Sequence, residues 1–249
     1  SSDPGYLYPM PITGDLLLTI VAPATTAGPI GDELGAYGNG GAPASALYLP
    51  DFNTTPTLSG VVTSHERWSG DIELSDAVSV EWPGRLVIDP GTVIRMPAGA
   101  YLHIGGGGLL EAVGTADAPI TFEASGETAW GGLAFTSQGA NSLIRYAHIS
   151  GGDTCVTIDH ASPVIESSVI TGCARVAIEN SQYSSAILRN NQLSGNQSAI
   201  TIQDASPRIE NNLIINNAGI GVALSGYEGT PQLRYNTLDY NSGAGIEFA

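Results

Sequence analysis

Three carboxylates near the ends of successive predicted strands are the residues best placed for metal chemistry. They are Asp159, Glu179 and Asp204. Calcium takes about six to eight oxygen ligands, so an acidic strip on neighbouring strands is a weak candidate for a calcium site. A solvated acidic surface, which keeps a protein soluble, explains the same residues without any ligand. We expect the solvated surface, and therefore no cofactor.

The remaining side chains that could perform catalysis are scattered. The four histidines show no pair at metal-ligand spacing, and each is predicted to be a surface or turn residue: His65, His103, His148 and His160. His160 follows Asp159 directly, but neighbours in a strand point to opposite faces. No serine lies in a nucleophile-elbow pattern. These observations predict a protein without an active site.

Two cysteines, Cys155 and Cys173, are too few for a disulfide scaffold or a four-ligand zinc site. They are separated by less than one unit of the repeat described below, so they could meet across adjacent coils. Either a disulfide, which requires an oxidising compartment, or two buried thiols satisfies the pattern.

The composition excludes some partners. The formal charge is -16, and all eight basic residues are arginine. Such a surface repels nucleic acid, which is bound through clustered positive charge. No apolar run approaches the roughly 18 residues of a membrane span. The 32 glycines and the 7% of aromatic residues suit short strands joined by tight turns.

An internal repeat of about 22 residues organises the second half of the chain. Aliphatic residues recur in columns and alternate with outward residues, as in a strand with one buried face. Three strand positions per repeat, with no helical pattern between them, predict an all-β solenoid of stacked coils from residue 130 onward. The first inward column is Leu133, Val156, Val176, Ile200, Val222 and Ile246, and the second is Phe135, Ile158, Ile178, Ile202, Leu224 and Phe248.

Polar residues recur in the same register and are predicted to form ladders along the rod. The asparagine columns are Asn191, Asn212 and Asn236, then Asn196, Asn217 and Asn241. Asparagine tolerates the left-handed backbone of turns, and stacked amides can bond to one another. An outward column alternates in charge, which favours one register: Arg145, Glu166, Arg189, Glu210 and Arg234.

The segment before the regular coils resembles a known family. Its motifs span 64–70 (SHERWSG), 86–94 (LVIDPGTVI), 114–122 (GTADAPITF) and 130–133 (WGGL). They are similar to the first coils of secreted bacterial right-handed β-helix proteins of the pectin-lyase-like fold. Together with the repeat, the resemblance implies an all-β right-handed parallel β-helix over residues 61–249. It also implies an exported protein, extracellular or at the cell surface, but it does not imply lyase chemistry.

Residues 1–60 do not match the coil columns. They contain eight prolines and three short candidate strands, at 16–21, 33–37 and 46–49. A small β module and an arm over the first coil both fit this segment.

The favoured function is a structural protein, either a filament subunit or a rigid surface stalk. Uniform coil lengths leave no room for the long loops that would wall a catalytic groove. A carbohydrate-binding or adhesive module, with the exposed tyrosines Tyr183, Tyr227, Tyr235 and Tyr240, is the alternative, and a polysaccharide-active enzyme is a third. Self-association head to tail is expected through Ile246 and Phe248, because an open last coil leaves strand edges unpaired.

Overall fold

The computed structural model describes residues 52–136 and 142–248 of the chain. All the regular secondary structure in these ranges is β-strand. The three strands predicted before residue 50 lie outside the described residues.

Twenty-five short strands follow one another along the described chain. They are β1 (Gly60–Val62), β2 (His65–Trp68), β3 (Asp71–Glu73), β4 (Val78–Val80), β5 (Arg85–Ile88), β6 (Val93–Met96), β7 (Tyr101–Ile104), β8 (Leu109–Val113), β9 (Ile120–Ala124), β10 (Gly132–Thr136), β11 (Leu143–Arg145), β12 (Ala147–Ser150), β13 (Thr154–Asp159), β14 (Val164–Glu166), β15 (Val169–Thr171), β16 (Val176–Ser181), β17 (Ile187–Arg189), β18 (Gln192–Ser194), β19 (Ser198–Gln203), β20 (Arg208–Glu210), β21 (Leu213–Ile215), β22 (Val222–Ser225), β23 (Gln232–Arg234), β24 (Thr237–Asp239) and β25 (Ile246–Phe248).

Every third strand belongs to the same parallel sheet, so one coil contributes one strand to each of three sheets. Sheet 1 has nine strands and runs from β1 to β25, sheet 2 has eight and runs from β2 to β23, and sheet 3 has eight and runs from β3 to β24. The chain therefore winds around a single core, to which all three sheets turn their apolar side chains. The predicted all-β solenoid is confirmed.

The core changes in character along the rod. Its largest fully buried side chains lie in the earlier coils and include Trp68, Phe122, Trp130 and Phe135. From β13 onward the inward positions are mainly isoleucine, valine and leucine, and most of them lie opposite another aliphatic residue in the next coil. Each coil buries its apolar face only against its neighbours, as in other solenoids.

The first coil holds the residues before it through a buried carboxylate. Glu66 accepts hydrogen bonds from Trp68 Nε1 at 2.8 Å and from the backbone N–H of Thr57 at 3.0 Å. Asn53 also forms an isolated bridge with Glu66. Residues 52–60, which the sequence assigns to the N-terminal region, therefore contact the first coil of the β-helix.

The register of β16 differs from the predicted column. Ile178 lies between Val156 and Ile200, whereas Val176 lies between Thr154 and Ser198. A slip of two residues keeps the same face inward, so apolar alternation cannot distinguish the two registers. The contacts of the turn before β16 determine which of the two registers forms.

Turn contacts fix this register before β16 begins. The backbone N–H of Ala174 donates to Gly152 O at 2.9 Å, and that of Arg175 donates to Asp153 O at 2.8 Å. As a result, Asn180 rather than Ile178 takes the second inward position, where it is fully buried.

Candidate functional site

The alternating charges lie in one outward column on sheet 2, as their spacing predicts. Arg145 pairs with Glu166, Glu166 with Arg189, Arg189 with Glu210, and Glu210 with Arg234. The column places Glu166, Arg189 and Glu210 each between opposite charges on neighbouring coils. A shift of one strand relative to its neighbour would separate these opposite charges, so the column favours the observed register.

Glu166 is the centre of the column. Its carboxylate accepts hydrogen bonds from Arg145 Nε and Arg189 Nε, one coil on either side. Its side chain is only 6% exposed. Burial raises the pKa of Glu166, but the hydrogen bonds and charges of Arg189 and Arg145 outweigh it and hold the pKa below its usual value.

The ion pairing does not continue through the whole column. Glu210 binds Arg208 of its own strand, with Nη2 3.0 Å from Oε1, rather than Arg189 or Arg234. Arg208 is absent from the predicted ladder, because it is an outward neighbour two positions earlier. Shared register therefore guarantees proximity, but rotamers decide which charges bind.

The first asparagine column forms a buried ladder at the turn between sheets 2 and 3. Asn191 Nδ2 donates to Asn212 Oδ1 at 3.1 Å, and Asn212 Nδ2 donates to Asn236 Oδ1 at 3.0 Å. The same oxygens accept backbone N–H groups at 2.9 Å. The amides are thus satisfied by the rod itself.

The left-handed backbone positions belong to the residues before the ladder, contrary to the prediction. Asn190 and Asn211 have φ of 57° and 61°, whereas Asn191 and Asn212 do not have positive φ. The turn bends at the first asparagine of each pair, and the second asparagine then points its amide into the corner. The sequence shows both asparagines but does not show which one adopts the left-handed backbone conformation.

The second asparagine column forms a ladder at the turn between sheets 3 and 1. Asn196 Nδ2 donates to Asn217 Oδ1 at 3.0 Å, and Asn217 Nδ2 donates to Asn241 Oδ1 at 2.8 Å. At the end of this ladder nearest the N-terminal coils, Asn196 Oδ1 accepts the backbone N–H of Cys173 at 3.1 Å. Cys173 and Cys155 are joined by a disulfide with a Cα–Cα distance of 5.7 Å. Of the two predicted states, the structure has the disulfide.

The three candidate calcium ligands do not form one strip. Asp159 lies opposite Ser181, and Ser181 lies opposite Gln203, so Glu179 is two positions earlier than Asp159 in register. Glu179 instead binds Arg175, and Asp204 Oδ1 accepts the backbone N–H of Tyr227 at 2.7 Å. Within residues 52–136 and 142–248, no group of three or more acidic, histidine or cysteine side chains is arranged to hold a metal ion.

A polar network on the outer face of sheet 1 was missed at the sequence level. His103 Nδ1 lies 3.0 Å from Ser79 Oγ, and Nε2 lies 2.7 Å from Thr136 Oγ1. Ser79 Oγ in turn donates to Glu81 Oε1 at 3.0 Å. With one proton on the ring, Thr136 donates to Nε2, and Nδ1 donates to Ser79. The network ties three coils together, and the one-coil spacing of Ser79 and His103 was the signal for it.

The exposed tyrosines occupy unusual backbone positions. Tyr146, Tyr183, Tyr235 and Tyr240 all have φ between 49° and 58°. At the turns of Tyr146, Tyr235 and Tyr240, the equivalent positions in other coils hold serine, asparagine or glycine. A bulky residue in this conformation loses about 1–2 kcal/mol relative to the right-handed region. These rings are therefore not placed by local backbone preference.

The last described coil leaves apolar side chains in contact with solvent. β25 pairs with β22, and Ile246 and Phe248 are 45% and 81% exposed. A hollow beside them is lined by residues that include Ile202, Leu224 and Leu233.

Comparison with known families agrees with this geometry. Residues 131–249 match a family model described as "Right handed beta helix region". The fold is a right-handed parallel β-helix. The β-helix begins well before the matched range, since the same three sheets run back to β1, β2 and β3. No curated protein and no solved structure gives a significant match. In the described part of the β-helix, no helix is long and apolar enough to cross a membrane.

Proposed function

We propose that this β-helix is a non-catalytic structural module, a filament subunit or rigid stalk that acts outside the cell or at its surface. The observation that carries the proposal is the use of the arginines. Six of the eight bind a carboxylate on an adjacent coil: Arg67 with Asp89, Arg85 with Glu111, Arg95 with Glu123, Arg145 and Arg189 with Glu166, and Arg175 with Asp153.

The direction of these contacts suits a mechanical role. Backbone hydrogen bonds between coils, the ion pairs and both amide ladders all run along the axis of the rod. Each exposed ion pair contributes only about 0.2–1 kcal/mol, but together they oppose bending and slippage of many coils at once. A rigid rod that carries load along its axis is the function that this distribution of polar contacts supports best.

The disulfide supports the extracellular placement. Disulfides persist in oxidising compartments and are rare in reducing ones. The Cys155–Cys173 bond is buried, with the two residues 0% and 2% exposed.

Electron microscopy of the purified full chain, combined with activity assays, tests the structural role. Nine strands at about 4.8 Å spacing predict a stiff rod of roughly 38 Å for the described coils. The same sample, incubated with neutral and acidic polysaccharides, is expected to release neither reducing ends nor unsaturated sugars. Sustained release that disappears in the variants Asp159→Ala, Glu179→Ala or His103→Ala would contradict a non-catalytic role.

Head-to-tail self-association is the second candidate, and it rests on the two ends of sheet 1. Ile246 and Phe248 are exposed on β25, and Val61 on β1 and the nearby Leu58 are 53% and 44% exposed. Each of these strands has one partner strand in the described sheet. Addition of β1 from one copy to β25 of another would bury apolar surface at both ends and would propagate as a fibre unless its rotation closed a ring.

Sedimentation over a range of concentrations tests the association. The natural chain is expected to form larger species as its concentration rises, and Ile246→Asp with Phe248→Asp is expected to stay monomeric. Tyr227→Asp is the matched control, because Tyr227 is fully exposed and its side chain does not line the hollow beside Phe248. A natural chain that remains monomeric at high concentration would refute this assembly.

A further inference from the structure

A shallow groove of about 530 Å³ runs along the turns between sheets 3 and 1. Its lining residues include Gly172, Gly195, Asn216 and Tyr240, which follow the last strand residues of β15, β18, β21 and β24. Those strand residues are in register with one another, so the four turn residues occupy equivalent places in successive coils. The two glycines leave space, and Tyr240 forms the end of the groove.

Tyr240 is not explained by the stability of the fold. Its φ is 51°, a conformation in which glycine and asparagine are favoured, as at Gly195 and Asn216. Its ring is 78% exposed, so the unfavourable backbone is not offset by burial. Tyr235 shares this backbone and exposure, so what distinguishes Tyr240 is its place at the end of the groove.

The groove is lined both by side chains that are hydrogen-bonded within the protein and by exposed polar side chains that can bond to a ligand. The side chains of Asn196 and Asn217 are buried and bound within the amide ladder. Gln197, Asn216 and Ser242, by contrast, line the groove from exposed positions. Their amides and hydroxyl can donate and accept hydrogen bonds with a ligand.

We propose that this Tyr240 groove binds a neutral glycan, with a sugar ring against Tyr240 and its hydroxyl groups on the side chains of Gln197, Asn216 and Ser242. An aromatic ring presents an apolar face, and amides provide the directional polar contacts that small polar ligands require. The residues lining the groove carry no formal charge, although the whole chain has a formal charge of -16. The negative charge of the protein disfavours a polyanionic ligand. A cationic ligand would find no carboxylate in the groove with which to form an ion pair.

A protein partner fits the groove less well. Protein hot spots are aromatic anchors in well-packed pockets that exclude water. This groove is open, and amides, a hydroxyl and glycine backbone make up much of its lining.

Affinity electrophoresis of the full chain in about 0.15 M salt tests the proposal. The gels contain soluble xylan, mannan, β-glucan or starch, with polygalacturonate and chitosan as charged comparisons. At least one neutral polymer is expected to retard the natural chain, and Tyr240→Asn is expected to weaken that binding at least about tenfold, a loss of about 1.4 kcal/mol. Asparagine suits the left-handed backbone, so this variant keeps the fold.

Tyr235→Asn is the matched control. Tyr235 lies at the other end of β24, has φ of 58° and is 87% exposed, but it does not line the groove. It is expected to bind within about twofold of the natural chain, a difference well below one tenfold step of affinity. The proposal is overturned if no neutral polymer retards the protein, if only a charged polymer or a protein does, or if both variants lose binding equally.

Discussion

The backbone N–H of Cys173 donates to Oδ1 of Asn196 at 3.1 Å, so the second amide ladder ends on the disulfide. The column Cys173, Asn196, Asn217 and Asn241 is continuous, and each of the first three residues donates its backbone N–H to the side-chain amide oxygen of the next. The disulfide closes the corner of a coil where no asparagine is present. The rod thus uses covalent and hydrogen-bonded ties at equivalent places.

Removal of the disulfide is expected to destabilise the β-helix. The bond closes a loop with a sequence separation of 18 residues, and loops of this size contribute about 3 kcal/mol through the unfolded state. The double variant Cys155→Ala with Cys173→Ala is therefore expected to lower the free energy of unfolding by about that amount in urea titrations followed by circular dichroism. The natural chain in reducing agent is the comparison. Equal midpoints for oxidised protein and variant would show that the bond contributes nothing.

Acid is expected to weaken the column around Glu166. Its pKa is lower in the folded protein than in the unfolded chain, so the unfolded state binds the proton first. The stabilisation is present above the unfolded pKa, near 4.3, and is lost as the pH falls through the folded pKa.

The variant Glu166→Gln isolates this effect. It is expected to be less stable than the natural chain at neutral pH and to lose less stability below about pH 4. Glu210→Gln is the matched control, because Glu210 lies in the same column but forms its ion pair with the exposed Arg208 of its own strand. Parallel stability curves for Glu166→Gln and the natural chain between pH 5 and 2 would refute the assignment.

The buried amide of Asn180 is expected to be a weak point of the core. It lies between Ile158 and Ile202, and its Nδ2 has no hydrogen-bond partner among the described residues. Ser184 Oγ donates to its Oδ1. Replacing both partners with apolar groups removes the unpaired amide, whereas replacing one leaves a new unsatisfied group.

Thermal and urea unfolding distinguish these cases. Asn180→Val with Ser184→Ala is expected to raise the free energy of unfolding by about 1 kcal/mol, and Ser184→Ala alone is expected to lower it by a similar amount. If the double variant is less stable than Ser184→Ala alone, the amide has a structural role that the observed contacts do not contain.

The tyrosines at left-handed turns are expected to reduce stability. Tyr235→Asn should raise the free energy of unfolding by about 0.5–1 kcal/mol, because asparagine adopts this conformation at lower cost and the ring loses little burial. Asn211, at the equivalent turn of the preceding coil, shows that asparagine fits there. The reverse change, Asn211→Tyr, is the control and should lower stability; a rise in both variants would refute the argument.

The sequence determined the solenoid and most of its ladders. A repeat of about 22 residues, with three apolar positions in each coil, has few solutions other than stacked coils, since neighbouring coils must cover each apolar face. The same repeat length predicted that Arg145, Glu166 and Arg189 lie in one column, because residues one repeat apart lie opposite each other on neighbouring coils of a solenoid.

Only the tertiary structure decided what depends on turns and rotamers. A two-residue slip preserves the inward face, so the contacts of Ala174 and Arg175, not the apolar pattern, placed Asn180 in the core and separated Glu179 from Asp159. The pairing of Glu210 with Arg208 depends on side-chain rotamers that spacing does not encode. The groove beside Tyr240 arises from turn residues of several coils, so it exists only after the chain has been wound.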